Sequence, residues 1–287
     1  MSEKDIDQET GIETTGHEWD GIKELNNPLP RWWLWCLYLT IVWGIGYLIA
    51  YPAWPMIDRA TTGLLGYSTR GEVAAEIARF DDQNAALRAA LATADLTTLA
   101  QDEELNRFAI AGGAAVFRTN CSQCHGAGAA GAKGYPNLLD DDWLWGGQIE
   151  SIAYSIRHGI RNDTDADALW SQMPAFEEIL SDEEIDHVAA FVSNLSGLGE
   201  GGAMSAEGAV LFEENCSSCH GADGKGDREM GAPNLTDAIW LYGGDKQNLR
   251  TSIAKARFGV MPAWGQRLSD DDVNAVAAYV HQLGGGE

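Results

Sequence analysis

Two short motifs of cysteine and histidine carry the chemistry that this sequence suggests. Each has the spacing Cys-x-x-Cys-His, and their members are Cys121, Cys124 and His125, then Cys216, Cys219 and His220. This spacing attaches c-type haem, because two thioether bonds hold the porphyrin edge and the next residue brings an imidazole to the iron. The repeated motif therefore predicts two covalently bound haem c groups, each with one histidine on its iron.

Zinc and disulfide chemistry use the same residue types and need to be weighed. A zinc site requires four ligands, and neither copy offers a further Cys or His as a plausible fourth. A redox-active dithiol is typical of a βαβ pattern, which is not apparent around either motif. Cys36, the fifth cysteine, lies alone in an apolar run and is most simply a small apolar residue.

Two methionines are candidates for the sixth ligand of each iron. Met173 and Met261 both precede Pro-Ala-aromatic and lie at matched positions after the two motifs. A thioether opposite an imidazole raises the haem potential and closes the iron to oxygen. His158 is a rival in the first copy, but its counterpart in the alignment is Phe258. Whether each methionine serves its own copy or the other one stays open.

Four further residues are candidates to support the haem groups. Pro136 and Pro233 follow the motifs and could offer a backbone carbonyl to the ring N–H of the motif histidine, which would fix its tautomer. Arg157 and Arg257 are candidates to pair with haem propionates, although either could be an ordinary surface arginine.

Aromatic residues are expected to build the walls and the helix contacts of each domain. We expect Phe117 to pack on Phe191, and Phe212 on Tyr279, so that the first helix of each domain contacts its own last helix. The expected pocket walls are Trp143, Trp145, Trp240 and Tyr242.

The motifs lie in an internal repeat that predicts two tandem all-α domains. We place a first cytochrome c domain at 107–198 and a second at 204–287, joined by a glycine-rich link. Each copy closes with an amphipathic helix that follows a capping-box-like signal, at Ser181 in the first and Ser269 in the second. No run alternates strongly enough to predict a sheet.

An uncharged run at 32–57 predicts one transmembrane helix before these domains, because about 20 apolar residues cross a bilayer. The aromatic residues expected at its two interfaces are Trp32, Trp33 and Trp35, then Tyr51 and Trp54. The preceding segment, 1–31, is mostly acidic, and 58–106 is predicted to be a helical linker. An uncleaved, single-pass anchor follows from this order.

The charge balance limits the partners of the chain. Among 287 residues there are 19 Lys+Arg and 43 Asp+Glu, a formal net charge of −24. Nucleic acid would be repelled by such a surface, so nucleic-acid binding is excluded. The acidic excess would steer a basic protein partner, or it keeps the domains soluble.

The chain resembles the membrane-anchored dihaem subunit III of cbb3-type cytochrome c oxidases. The specific segments are Asp-Gly-Ile-Lys-Glu-Leu-Asn-Asn-Pro-Leu-Pro-Arg-Trp-Trp, residues 20–33, and Tyr-Pro-Ala-Trp-Pro, residues 51–55. The resemblance implies electron transfer from a donor cytochrome c, through two haems, to a monohaem subunit and then to a catalytic haem-copper subunit. It also implies a bacterial inner membrane location, with 1–31 cytoplasmic and the haem domains periplasmic.

Three other functions remain to be distinguished. A stand-alone membrane-tethered electron carrier, or the cytochrome subunit of a periplasmic dehydrogenase, would carry the same haem ligands without a partner oxidase. A haem-based gas or redox sensor would need a labile sixth ligand and an output domain, and neither is evident in the sequence.

Overall fold

The computed structural model describes residues 5–199 and 201–287. Residues 1–4 of the predicted N-terminal segment and residue 200 of the glycine-rich link lie outside it. The described chain divides into two compact units, one ending at Asp82 and the other spanning Gln83–Glu287.

A β-hairpin precedes the apolar helix. This hairpin is not predicted by the sequence. Strand β1 (Thr14–Trp19) pairs antiparallel with β2 (Ile22–Leu25). Asp20 and Gly21, both at positive φ, make the two-residue turn between them. Asp-Gly is a typical hairpin signal, but its strands are short and mostly exposed, so burial does not impose an alternating pattern. The haem-motif region remains helical, as predicted.

Helix α1 (Arg31–Ala50) is the candidate membrane span, with a mean hydropathy of 1.7 and no buried residue along its fully described length. It ends at Ala50 rather than at residue 57, since Tyr51 precedes a proline and is extended. The amides of Leu64 and Leu65 return to donate to the carbonyls of Ile49 and Ala50, both at 3.0 Å. The chain therefore satisfies two of the last helix carbonyls itself.

The predicted linker contains helix α2 (Thr69–Ala92) and a 3₁₀ turn at Leu96–Gln101 whose N-cap is Asp95. Its later part belongs to the second unit rather than acting only as a spacer. Leu91 is 1% exposed in the core, and the side-chain amide of Asn274 donates to its carbonyl at 2.9 Å. The core of this unit thus begins before the predicted boundary at residue 107.

The second unit is otherwise built from two similar sets of helices. The first set is α3 (Glu103–Val116), α4 (Ser122–His125), α5 (Ile149–His158) and α6 (Asp182–Leu195). The second set is α7 (Ala203–Asn215), α8 (Ser217–His220), α9 (Lys246–Lys255) and α10 (Asp270–His281). Ser181 makes the predicted capping box with Glu184, whereas the Ser269 hydroxyl donates to Asp272 and caps no amide.

The two closing helices are exchanged between the repeats. Helix α10 packs on α3 and α5 of the first repeat, while α6 packs on α7 and α9 of the second. Two separate hydrophobic cores follow this exchange, one containing Phe117 and Val276 and the other containing Phe212 and Val188. Each packed core therefore combines helices from both sequence repeats, so the boundaries of the cores differ from those of the repeats.

The expected aromatic contacts are wrong for the same reason. Phe117 lies 5.5 Å from Tyr279, and Phe212 lies 5.1 Å from Phe191, measured between ring centroids. The link between α6 and α7 is short, and a short link favours antiparallel packing of consecutive helices. Helix α6 therefore meets the helix that follows it rather than α3.

Candidate haem sites

The first motif is presented at the end of α3. The chain continues through one π-helical turn, Phe117–Cys121, into the short helix α4, which ends at His125. The loop after α4 returns so that the Pro136 carbonyl lies 3.0 Å from Nδ1 of His125. A carbonyl only accepts hydrogen bonds, so Nδ1 carries the proton and Nε2 keeps its lone pair for a metal.

The second motif has the same construction. Cys216 follows α7 as its C-cap, helix α8 ends at His220, and the Pro233 carbonyl lies 3.1 Å from Nδ1 of this histidine. Both predicted proline contacts are thus present. Burial lowers the pKa of His125 and of His220, which favours the neutral imidazole that a metal requires.

The cysteines suit thioether attachment better than a zinc site. Burial raises the pKa of the Cys121 and Cys216 thiols to about 11. Within the described residues, one group of three side chains has ligand atoms close enough together to hold a metal ion, and it comprises His158, Asp165 and Asp167. It contains no cysteine, so neither motif has the ligand cluster that a zinc site would require.

The exchange of helices brings each methionine to the other repeat. Met261 packs against the core that Cys121 contacts, and Met173 packs against the core that contains Cys216. The chain reaches these positions along two crossing segments, 159–172 and 256–260. Ile160 of the first segment pairs with Met261, which directly follows the second, by two backbone hydrogen bonds of 3.0 and 2.9 Å.

The alternative histidines have other contacts. Nδ1 of His158 lies 3.3 Å from the Asp165 carboxylate, and that of His187 lies 3.1 Å from Glu207. Nε2 of His281 lies 2.9 Å from the Glu287 carbonyl.

Arg157 and Arg257 are not equivalent in the structure. Arg157 lies in the last turn of α5, but Arg257 lies beyond the end of α9, so the alignment of these two arginines is wrong. Arg157 forms an ion pair with Asp270. The Arg257 guanidinium donates to the Ser252 hydroxyl and the Asn248 carbonyl, both at 2.6 Å, and stacks on Tyr242.

Two buried indole donors test whether the site suits haem. Nε1 of Trp145 and of Trp240 is buried without a hydrogen-bond partner in the described part of the chain. A buried N–H without an acceptor is costly, so both positions call for an acceptor from outside the protein. Haem propionates are such acceptors. Trp143, which occupies the position of Trp240 in the first repeat, donates to the Gly285 carbonyl instead.

One candidate functional residue, Arg161, was not predicted from the sequence. Arg161 follows α5 and its side chain contacts both crossing segments. The repeat gives no signal for it, because the residue at the matching distance beyond α9 is Phe258.

Two attachment sites on helical cores, preceded by an apolar helix, define a dihaem c-type cytochrome with a membrane anchor. Residues 11–58 match the family described as the N-terminal domain of cytochrome oxidase-cbb3, FixP. Residues 108–192 and 203–280 match the family described as cytochrome c oxidase, cbb3-type, subunit III.

Full-length relatives agree with these matches. A cbb3-type cytochrome c oxidase subunit CcoP of Cereibacter sphaeroides is 57% identical over 290 residues, covering 100% of both chains. A subunit CcoP of Rhodobacter capsulatus is 53% identical over 287 residues, covering 96% of this chain and 97% of its own. A subunit FixP of Sinorhizobium medicae is 50% identical over 284 residues, covering 99% and 98%. The chain belongs to the cbb3-type cytochrome c oxidase subunit III family, and its cofactors are two c-type haems.

Proposed function

We propose that this chain accepts electrons from a donor cytochrome c and relays them through its two haems toward the oxygen-reducing subunit of a cbb3-type oxidase. The observation that carries the proposal is the duplicated motif whose histidine Nδ1 is held by a proline carbonyl, at 3.0 and 3.1 Å. Haem iron supplies one-electron redox chemistry at each site. The protein contributes fixed ligands, burial and covalent attachment.

The axial ligands we assign are crossed between the repeats. His125 and Met261 would hold one haem iron, and His220 and Met173 the other, because each methionine packs with the core of the other repeat. A thioether in the sixth position leaves no open site for oxygen on either iron. Oxygen reduction therefore takes place on a partner chain, and this chain acts as a non-catalytic subunit of the oxidase.

We assign the propionates to the indole donors Trp145 and Trp240 as their first partners. Their Nε1 atoms are buried and lack an acceptor among the described residues. Arg157 and Arg257 remain secondary candidates, since the contacts each makes within the protein would have to be shared with a propionate.

The topology follows from where haem is attached. Attachment to Cys-x-x-Cys-His occurs outside the bacterial cytoplasm, which places the haem domains in the periplasm and residues 1–31 in the cytoplasm. Helix α1 then crosses the inner membrane once. The proposed partners are the catalytic haem-copper subunit, a monohaem cytochrome c subunit and the donor cytochrome c.

Purification of the tagged chain from detergent-solubilised membranes tests the assembly. We expect b-type and c-type haem to co-purify, with cyanide-sensitive oxygen uptake on addition of reduced cytochrome c. The matched control is the same protein with Cys121→Ala, Cys124→Ala, Cys216→Ala and Cys219→Ala, which should lose its own haem. Isolation of c-type haem alone, without oxygen uptake, would instead identify a tethered electron carrier.

A further inference from the structure

The two crossing segments form a small hydrogen-bonded ladder within the second unit. Ile160 pairs with Met261 on one side, and on the other side the Arg161 amide donates to the Leu169 carbonyl at 2.8 Å. The Leu169 amide returns to the Gly159 carbonyl at 3.1 Å. The segments that lead to Met173 and to Met261 are therefore hydrogen-bonded to each other at Ile160.

The Arg161 side chain joins these stretches a second time. Its Nε donates to the Gly259 carbonyl at 2.7 Å, and its Nη1 donates to the Ser171 carbonyl at 3.1 Å. Gly259 lies two residues before Met261, and Ser171 lies two residues before Met173. One guanidinium thus holds a point just upstream of each methionine.

The type of side chain matters at this position. A guanidinium presents several N–H groups in a fixed planar fork, so it can serve two carbonyls in different directions at once. The ring of Phe258 also lies 5.9 Å from the guanidinium carbon, measured to the ring centroid. A lysine ammonium would keep the charge, but it lacks the planar fork and the Nε donor.

We propose that Arg161 is a positioning residue that holds both axial methionines against their irons. The proposal rests on the crossed ligand assignment given above. Because the two carbonyl contacts belong to the two methionine segments, loss of one side chain should loosen the sixth ligand at both haems. A residue that supported only one domain would affect one haem.

Arg161→Ala tests the proposal, with Arg161→Lys as the conservative variant and Arg107→Ala, an exposed arginine of α3, as the matched control. In Arg161→Ala both haems should remain attached, as counted by mass. The methionine-to-iron charge-transfer band of the oxidised protein should weaken, and carbon monoxide should bind the reduced protein. The population of protein in which the methionine has left the iron should rise about tenfold for each hydrogen bond lost from the charged donor.

Single-haem proteins show which iron responds. We expect Arg161→Ala to weaken methionine ligation both in a protein with Cys121→Ala and Cys124→Ala and in one with Cys216→Ala and Cys219→Ala. Lower thermal stability with both charge-transfer bands intact would overturn the proposal, as would loss of ligation at one haem only. If Arg161→Ala does not accumulate, Arg161→Lys is read by the same criteria.

The unaltered protein separates failure of this proposal from failure of the function. If it contains two haems, shows the methionine-to-iron charge-transfer band and resists carbon monoxide, both irons carry a methionine. The single-haem methionine variants then test the crossing, and the Arg161 variants decide the positioning role. If it lacks the charge-transfer band, the methionine assignment itself is wrong and the positioning role falls with it.

Discussion

Phe117 of α3 contacts Tyr279 of α10, with 5.5 Å between ring centroids, although the two residues come from different sequence repeats. The corresponding contact in the other core joins Phe212 of α7 to Phe191 of α6, at 5.1 Å. Each hydrophobic core is therefore completed by a closing helix from the other repeat, and the methionine that packs against it also comes from the other repeat.

The exchange can be measured by energetic coupling between aromatic residues. We expect a double-mutant cycle on Phe117→Leu and Tyr279→Leu to give a coupling free energy of about 0.5–1.5 kcal/mol, typical of contacting aromatic rings. The matched cycle on Phe117→Leu and Phe191→Leu should be additive, because these rings belong to different cores. Chemical denaturation of the haem-loaded protein provides the free energies. Coupling in the second cycle instead of the first would indicate that each repeat folds on itself.

The proposed crossing of the ligands predicts which methionine serves which haem. In a protein with Cys121→Ala and Cys124→Ala, only the haem at His220 remains. Met173→Ala should then abolish its charge-transfer band and lower its potential, because the thioether ligand is lost. Met261→Ala in the same protein should leave the band unchanged. Visible absorption and a redox titration make the measurement, and the reverse result would assign each methionine to its own repeat.

Two adjacent glycines of α3 should respond in opposite directions. A Cβ at Gly113 would collide with the carbonyl of Ala275, whereas a Cβ at Gly112 would meet the Ala275 side chain at 3.9 Å, an ordinary contact. Gly113→Ala should therefore lower the free energy of unfolding by about 1–3 kcal/mol through overpacking. Gly112→Ala should raise it by about 0.5–1 kcal/mol, since glycine is unfavourable within a helix. Equal effects at both positions would argue against the close approach of α3 and α10.

The stability of the second unit should depend on the protonation of Asp142. Burial raises the pKa of this carboxyl to about 6, above its ordinary value of 3.8, and nearby Asp237 adds to the effect. Between these two values the folded protein binds more protons than the unfolded chain, so this carboxyl makes stability fall as the pH rises from about 4 to 6. Asp142→Asn should remove that contribution.

The control for this pH effect is Asp141→Asn, which changes an exposed neighbour. Melting temperatures of the unaltered protein and both variants across this pH range provide the comparison. A pH dependence that is the same in Asp142→Asn and in the unaltered protein would show that another group is responsible.

Features that depend on residues close together in the sequence were predicted from it. The motif spacing predicted both attachment sites. The proline contacts to His125 and His220 were correctly expected, because each proline follows its motif at a short distance. The capping box at Ser181 was also predicted, since its partner lies three residues away. The hairpin turn at Asp20–Gly21 had a recognisable signal, but its strands lack a buried face that would have made the alternation clear.

The pairing of the closing helices with α3 and α7 could not be predicted from the sequence. Phe191 and Tyr279 occupy matching positions in two similar helices, so either one satisfies the hydrophobic face of α3 by composition and periodicity. The choice depends on link lengths and on close approaches such as Gly113 to Ala275, which exist only after the helices pack. Arg161 was missed for the same reason, since its two acceptors are distant backbone carbonyls that carry no residue signature.

The sequence by itself determined the two haem attachment motifs, the candidate methionines, the helical class and the apolar helix, because these depend on residue type and short-range spacing. Only the tertiary structure decided how the repeats are joined. The two closing helices are similar in composition and periodicity, and the contacts that distinguish them, such as those of Gly113, Ile160 and Arg161, join residues distant in the chain and form only on folding.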